Sequence, residues 1–344
     1  MVAVTTNTRD EAAATARFSK LCAEKGLLKR QGWKDGDIHD GFTDQHTLLR
    51  FLQANNMDPS QALEQLQQAI DFHTKNGALA LYDLIDVEDY EDTRRLYPTW
   101  TGRRDTHGRP LLMIDSGALS KEQITHWRAT REIPSARQDG INSRYTSNMA
   151  QRALVWFDGL TRFVLPFCAA VLHLLKAVYI VDVASISLKQ AWDVRDFAKE
   201  LSWLLATCYP ETIDRILVCN APSYFATIWK ILKGFIDPKT AEKLVMVTSG
   251  ETYSMLSETI DHESIPRNFG GGFAYETGML PDLDDELRQA MTWTSPRGQL
   301  PDGPIKWTKD ATGAIKAIAT GTVEGVERAD EVGVLQLNHG NGVQ

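Results

Sequence analysis

Cys22, Cys168, Cys208 and Cys219 are the residues best equipped for nucleophilic or metal chemistry, and their spacing serves neither. They stand far apart with no C-x-x-C pair, which argues against a disulfide framework or a zinc site and fits a reducing, cytosolic setting. The eight histidines include no His-x-x-x-His pair, so metal catalysis has no ligand set. No Gly-x-Ser-x-Gly elbow lifts a serine to a strand end, and no Gly-x-x-x-x-Gly-Lys-Ser/Thr loop cradles a phosphate. A hydrolase reading therefore starts weak.

Residues 220–243 are best suited to binding. Phe225, Ile228, Trp229 and Leu232 recur at i, i+3, i+4 and i+7, which paints one face of a helix; Tyr224 and Ile231 widen the stripe, and Lys230 and Lys233 flank it. Ser223 after Pro222 supplies a helix start, and Gly234 with Asp237-Pro238 supplies an end. Two readings follow. The helix packs on an ordinary core, or it is a hinged lid over an apolar cavity that turns outward at a membrane, where tryptophan and lysine suit the interface.

At 344 residues and 43% hydrophobic content the chain has room for one large domain and a smaller one. A net charge of -8 argues against nucleic acid as the main partner and restricts contact with an anionic membrane to a local patch. The longest uncharged apolar run, residues 163–172, contains Pro166, precedes His173 and Lys176, and falls short of the roughly 20 residues of a spanning helix, so no transmembrane segment is expected. Residues 1–16 lack the order of a secretory signal and read as a mobile tail.

Helical periodicity predicts a helix over 15–29, a turn-rich break at 32–41, and a helix capped by Thr43 carrying Leu48, Leu49, Phe51 and Leu52. A clearer start is Asp58-Pro59-Ser60-Gln61, opening a helix with Leu63, Leu66, Ala69, Ile70 and His73 that ends at Asn76-Gly77. Residues 17–95 thus form a helical unit. Leu111 to Ile114 reads as the first strand of a sheet. Residues 120–147 show no clear period, and Ile133-Pro134-Ser135 marks a loop. A helix resumes near Tyr145 and should stop at Pro166. Residues 176–182 give the strongest strand signal. A helix over 188–209 follows with Trp192, Phe197, Leu201, Leu204 and Leu205 inward, then strands at 216–219 and 244–247. Strands alternating with helices imply an α/β fold with a mostly parallel sheet. Gly270 to Gly272 reads as a turn. Residues 281–344 form a carboxy-terminal extension with a helix over 281–291 and a hairpin over 304–337 around Ile305, Trp307, Ile315 and Ile318.

The order of motifs resembles the CRAL-TRIO lipid-transfer family. The matching pieces are Leu48-Leu49-Arg50-Phe51-Leu52, Gly108-Arg109-Pro110, Val181-Asp182 with Ser185-Ile186-Ser187, Tyr209-Pro210-Glu211, Asn220-Ala221-Pro222, Phe235-Ile236-Asp237-Pro238-Lys239-Thr240 and Ile265-Pro266 to Gly271. The resemblance implies a lipid-binding domain over 96–280, whose sheet floors an apolar pocket closed by a gate helix at 223–235. It implies headgroup contacts at Glu211, Thr240 and Lys243, which favours phosphatidylinositol, while Asn55 and Asn56 stand where the family has a basic pair. Thr101, Leu112, Asp158, Ala177 and Tyr179 occupy the positions of the family's choline-lipid site and disfavour phosphatidylcholine. Ala177, Tyr179 and Val181 alternate on one strand face and line the pocket if that face meets it; the Tyr179 phenol could also serve another ligand, such as a haem iron. The implied function is phospholipid binding and transfer without a cofactor, by a monomer in the cytoplasm that docks transiently on Golgi or endosomal membranes. The alternatives are a sensor or presenter serving a lipid kinase, and a lipid hydrolase, for which no nucleophile is found.

Overall fold

Side-chain period decides where this chain makes strands and where it makes helices, and the central sheet forms at its β-branched runs. The computed structural model describes residues 8–28, 32–38, 43–131, 133, 136–137, 145–172 and 176–336. Residues 1–7 of the expected tail, Lys29, residues 39–41 of the break, Pro134, Ser135, His173 and Leu337 lie outside them.

Helix α1 (Thr8–Glu24) begins inside the stretch expected to be a tail. Thr15, Phe18 and Cys22 share one of its faces and are buried, in a core that also holds Leu48, Phe51 and Leu52 of α2 (Gln45–Ala54). The cap of α2 is Asp44, one residue after the expected Thr43: its carboxylate accepts from the Thr47 amide at 2.9 Å. Helix α3 (Pro59–Lys75) starts as expected, with Asp58 accepting from the Ser60 amide at 2.8 Å and Pro59 in the first turn where no donor is needed. Two short helices, α4 (Ala78–Leu84) and α5 (Val87–Arg94), complete the amino-terminal layer.

Strands β1 (Thr99–Arg104) and β2 (Pro110–Asp115) follow. Strand β2 matches the expected one, but β1 precedes it. Its Arg103 and Arg104 hide it from a hydrophobicity reading, and it lies on the sheet edge where one neighbour suffices. At Gly102, with φ +87°, an added Cβ would lie 2.4 Å from the Asp282 backbone, so glycine alone lets the chain pass here. The unclear region contains α6 (Lys121–Arg131), with Ile124, Trp127 and Thr130 buried, and a ribbon of β3 (Ala136–Arg137) with β4 (Tyr145–Thr146).

Pro166 does not stop the next helix. Helix α7 (Met149–Gly159) runs into a π turn over Leu160–Val164, where the Leu165 amide bonds the Leu160 carbonyl, five residues back. That wider turn restarts the helix as α8 (Leu165–Leu172), and Pro166 sits in its first turn. The expected helix over 188–209 is likewise two, α9 (Leu188–Asp193) and α10 (Arg195–Cys208), broken at Val194. The break leaves Trp192 54% exposed instead of inward, with the Arg195 guanidinium 4.3 Å from its ring centroid.

Strands β5 (Ala177–Asp182), β6 (Ile213–Ala221) and β7 (Leu244–Thr248) join the first two in the order β1-β2-β5-β6-β7, antiparallel between β1 and β2 and parallel thereafter. Leu111, Met113, Val178, Ile180, Leu217 and Cys219 share one face and pack in a core with Leu256, Ile260, Ile265 and Phe269. Ile114, Tyr179, Val181, Ile216 and Val218 share the other. Gly270 to Gly272 form the expected turn: a Cβ on Gly271 would meet the Ile265 carbonyl at 2.0 Å.

The carboxy-terminal extension is a four-stranded antiparallel sheet of β8 (Met291–Trp293), β9 (Ile305–Lys309), β10 (Ile315–Ala319) and β13 (Asp330–Leu335), in the order β8-β13-β10-β9, with a small ribbon of β11 (Thr322–Val323) and β12 (Val326–Glu327). The expected hairpin is β9 with β10; β8 ends the stretch expected to be helical, where the helix covers only Asp285–Gln289. Lys306 is buried between Asp37 and Asp83, 2.9 Å from each, and Arg162 reaches the same Asp37 at 3.3 Å, so charges from the amino-terminal unit, the π turn and the extension neutralise one another. Beside them Trp307 stacks on Phe163 with centroids 5.1 Å apart, and its indole N–H donates to the Phe163 carbonyl at 3.1 Å. Trp307→Ala should therefore cost about 3–5 kcal/mol in a denaturant titration, the range of a buried aromatic truncation; a loss under about 1 kcal/mol would show that the extension does not support the fold.

Candidate functional site

The face of the sheet carrying Tyr179, Val181, Ile216 and Val218 does not close onto a solid core. A cavity of about 200 Å³ lies between it, helix α10, and helix α11 (Phe225–Leu232), and its walls are hydrocarbon almost throughout. Phe197, Leu201 and Leu205 of α10 form one wall, and Phe225, Trp229 and Leu232 of α11 form the cover.

Helix α11 starts at Phe225, two residues after the expected Ser223. Ser223 is exposed and caps nothing; the Phe225 amide instead bonds the Pro222 carbonyl at 2.8 Å. Phe225 and Ile228 are buried, and Trp229 and Leu232 are half-buried. Ile228 does not border the cavity: it packs with Val183, Ile186 and Ala191, where α9 leans on α11. A 3₁₀ turn over Lys233–Phe235 ends the segment, and around Gly234 the space is open.

Both ends of this cover are fastened. Asn220, at φ +56°, donates through its side chain to Asp182 at 3.2 Å, and Asn268 donates to the other oxygen of Asp182 at 2.8 Å. At the far end the Asp237 amide donates to the Ser202 hydroxyl of α10 at 2.7 Å, and its carboxylate caps α12 (Pro238–Glu242) by accepting from the Thr240 amide at 3.0 Å.

The three residues singled out for a headgroup meet in one place. Glu211, Thr240 and Lys243 border a polar pocket of about 270 Å³, together with Asn55, Lys239 and Tyr209. Leu205, Ile213 and Thr240 border both spaces, so the polar pocket adjoins the apolar cavity. Glu211 lies at φ +53° at the entrance to β6, and one of its oxygens accepts from Lys176 at 2.7 Å and from Lys243 at 3.2 Å. Lys243 also donates to the Ile213 carbonyl at 2.9 Å. Partial burial alone would raise the Glu211 carboxyl, but the bond from Lys176 and the charges of Lys176 and Lys243 outweigh it and hold Glu211 below its ordinary value.

Lys176 went unrecognised in the sequence, where it reads as the first residue of a strand. Its only signal is its place just before β5, at the same end of the sheet as Glu211 and Lys243. The two donors of the Asn55 amide are taken by the Phe51 carbonyl at 2.9 Å and by Gln65 at 2.6 Å, so this residue stabilises the end of α2. Of the three strand residues expected to line a pocket, Tyr179 and Val181 border the cavity, whereas Ala177, buried at the start of β5, does not. Among the described residues no cluster of histidine, cysteine or carboxylate side chains is arranged for a metal ion, and no helix is long and apolar enough to cross a membrane. The cysteines are buried, and burial pushes the Cys219 thiol up to about 12, far from the thiolate a nucleophile requires.

The floor, the cover and the whole lining of the apolar cavity lie within residues 98–271, which supply most of the polar pocket as well, beside Ala54, Asn55 and Gln65 of the amino-terminal unit, and residues 94–271 match the model of the CRAL/TRIO domain. The chain belongs to the CRAL/TRIO family. Among curated proteins it is 26% identical over 287 residues to the SEC14 cytosolic factor of Yarrowia lipolytica, aligning 83% of this chain with 52% of that protein, about half the relative's length. A CRAL-TRIO domain-containing protein of Saccharomyces cerevisiae is 23% identical over 313 residues, covering 87% of this chain and 88% of that one. A phosphatidylinositol/phosphatidylcholine transfer protein of Arabidopsis thaliana is 24% identical over 283 residues, 78% of this chain and 45% of the relative. Among solved structures the crystal structure of Sfh5 superposes with a TM-score of 0.55 at 12% identity, over 80% of this chain and 91% of that one, which supports the mostly parallel α/β architecture.

In this CRAL/TRIO chain the lysine-bound state of Glu211 makes a pH prediction. A carboxyl depressed in the folded state contributes stability that is fully present above its unfolded value, about 4.3, and is lost as pH falls through the lower folded value. The stability difference between wild type and Glu211→Gln should hold steady from pH 7 to about 5 and shrink only below about 4. A difference that shrinks between pH 7 and 6 would mean another group carries it.

Proposed function

We propose that the protein carries phospholipid, phosphatidylinositol foremost, between membranes, sheltering the chains in the apolar cavity and holding the headgroup in the adjoining polar pocket. The observation that carries this reading is the junction itself, where Leu205, Ile213 and Thr240 belong to both spaces. An amphiphile has that same order, hydrocarbon joined to a charged head. Exposing the roughly 30 methylenes of a two-chain lipid to water costs about 25 kcal/mol at about 0.8 kcal/mol each, which a closed cavity removes. Lys243 offers an ammonium group to a phosphate, Lys176 pairs with Glu211, and Glu211 and Thr240 offer oxygens to sugar hydroxyls. The names of the relatives, cytosolic factors and phosphatidylinositol/phosphatidylcholine transfer proteins, agree with this reading.

The cavity is only a little larger than the 150 Å³ or so that admits a benzene molecule, so two long chains require the cover to move. Helix α11 is the element placed to do so. It lies between the anchors at Asn220 and Asp237, with exposed Lys230 and Lys233 suited to lipid phosphates and with Trp229 and Leu232 half out of the core. Swinging outward at a bilayer would pass the Phe225, Trp229 and Leu232 face from the cavity to the membrane, so that its apolar area is never left in water. This makes the protein a peripheral, transient visitor of membranes from the cytoplasm, acting as a monomer; a lipid kinase downstream would receive lipid delivered in this way.

Trp229→Asp should reduce transfer of fluorescent phosphatidylinositol between vesicles by at least about tenfold and shift the thermal midpoint by less than about 4 °C, because the half-buried indole contributes little to the core. A large loss of thermal stability would identify the helix as ordinary packing. Lipid that stays bound and is never delivered would favour a presenting role.

A further inference from the structure

Two polar atoms in the cavity wall contrast with the hydrocarbon around them. Tyr179 is 3% exposed and Ser116 6% exposed, both border the cavity, and neither hydroxyl has a hydrogen-bond partner among the described residues. Buried hydroxyls are nearly always paired, because leaving one unpaired forfeits its hydration with nothing in exchange. The other hydroxyls of the wall are engaged: Ser202 receives the Asp237 amide and Thr240 bonds the Asp237 carboxylate.

The place of Tyr179 in the sheet narrows what it can meet. Its register partners are Leu112 on one side and Ile216 on the other, and Ile216 is paired with Leu244, the residue after Lys243. With neighbouring strands about 4.8 Å apart, Tyr179 is about 10 Å across the sheet from the row that carries the headgroup lysine. In a glycerophospholipid the groups just inside the phosphate are the ester carbonyls that tie the chains to glycerol. Burial pushes the Tyr179 phenol well above its ordinary value, so it keeps its proton and acts as a donor. A carbonyl fits this donor better than a guest hydroxyl would, because a hydroxyl brings a proton of its own that would need a second acceptor in a wall of hydrocarbon.

We propose that Tyr179 donates a hydrogen bond to a carbonyl oxygen carried within the apolar part of the guest, so that the cavity selects acyl esters over ether-linked chains, with Ser116 as a second, independent donor. The proposal rests on the cavity being a lipid site, but it does not depend on which headgroup is bound. The same chemistry is present in a diacyl phospholipid and in a single-chain ester with no headgroup, and the two can be told apart.

The test measures uptake of two matched pairs by native mass spectrometry and by displacement of a fluorescent fatty chain: diacyl against dialkyl phosphatidylinositol, and a long-chain alkyl ester against the ether of equal length. The expected result is an ester preference of about fivefold to tenfold in the wild type, the size of one hydrogen bond. Tyr179→Phe keeps the ring and should reduce the ester preference to about twofold or less, and the Tyr179→Phe, Ser116→Ala double variant should abolish it; an unchanged thermal midpoint confirms folding in each case. Ester preference in the headgroup-free pair alone sustains the proposal and removes phosphatidylinositol as the cargo. Equal uptake of ester and ether by the wild type, or a preference left undiminished by Tyr179→Phe, overturns it. No uptake of either pair overturns it together with the function from which it starts.

Discussion

A hollow lined by hydrocarbon is costly to keep, because the atoms of its walls forgo the contacts that a packed core would give them. The rest of the architecture can be understood as what keeps those walls apart. Val181, Ile216 and Val218 are branched at Cβ and have little freedom to turn inward. The sheet that carries them is backed on its other face by Leu256, Ile260, Ile265 and Phe269, so the floor cannot rise. Helix α10 is held against α3, where the Phe72 and Trp203 ring centroids are 4.8 Å apart and the Gln65 side chain donates to the Ala206 carbonyl at 2.8 Å, and α11 is fastened at both ends by polar bonds while its middle rests on apolar contacts alone.

That division of labour suits the movement proposed above for α11. Directional hydrogen bonds fix where a segment begins and ends, while contacts between hydrocarbon surfaces are non-directional and can be exchanged for equivalent ones. The charged pocket follows the opposite logic. Lys176, Glu211 and Lys243 come from the starts of three adjacent strands, so their spacing is set by the sheet and not by their own flexible side chains. The buried Lys306, Asp37, Asp83 and Arg162 cluster joins three parts of the chain, and its value is in locking them in one arrangement.

Much of this was legible in the residues. The run Val178 to Asp182, the apolar period of Phe225 to Leu232, and the Asp58-Pro59 start all express local rules that tertiary structure did not overturn. The positions of Glu211, Thr240 and Lys243 came from resemblance, and only the parallel register brings them together. What was missed has physical reasons. Strand β1 carries two arginines because Asp282, Asp284 and Glu286, about 180 residues further along the chain, receive them, a pairing that no local pattern announces. Trp192 turned outward because a helix break at Val194, invisible to a periodicity argument, reset the phase. Lys176 was overlooked because its role depends on a glutamate thirty-five residues away. Helix α1 runs further back than the tail-like composition of its first turns suggested, since Thr15, Phe18 and Cys22 are enough to anchor it.

The wide turn at Leu160–Val164 has a consequence for how this chain can vary. It inserts one residue beyond the α-helical repeat, and that single insertion sets the direction in which Phe167 meets Trp307, 5.4 Å away between ring centroids. Shortening the segment by one residue would restore a regular helix while rotating everything after it by about 100°, turning Phe167 from the tryptophan and unseating the sheet beyond. Surface loops tolerate gain or loss of residues; here the count itself is part of the specification, whatever the amino acids are.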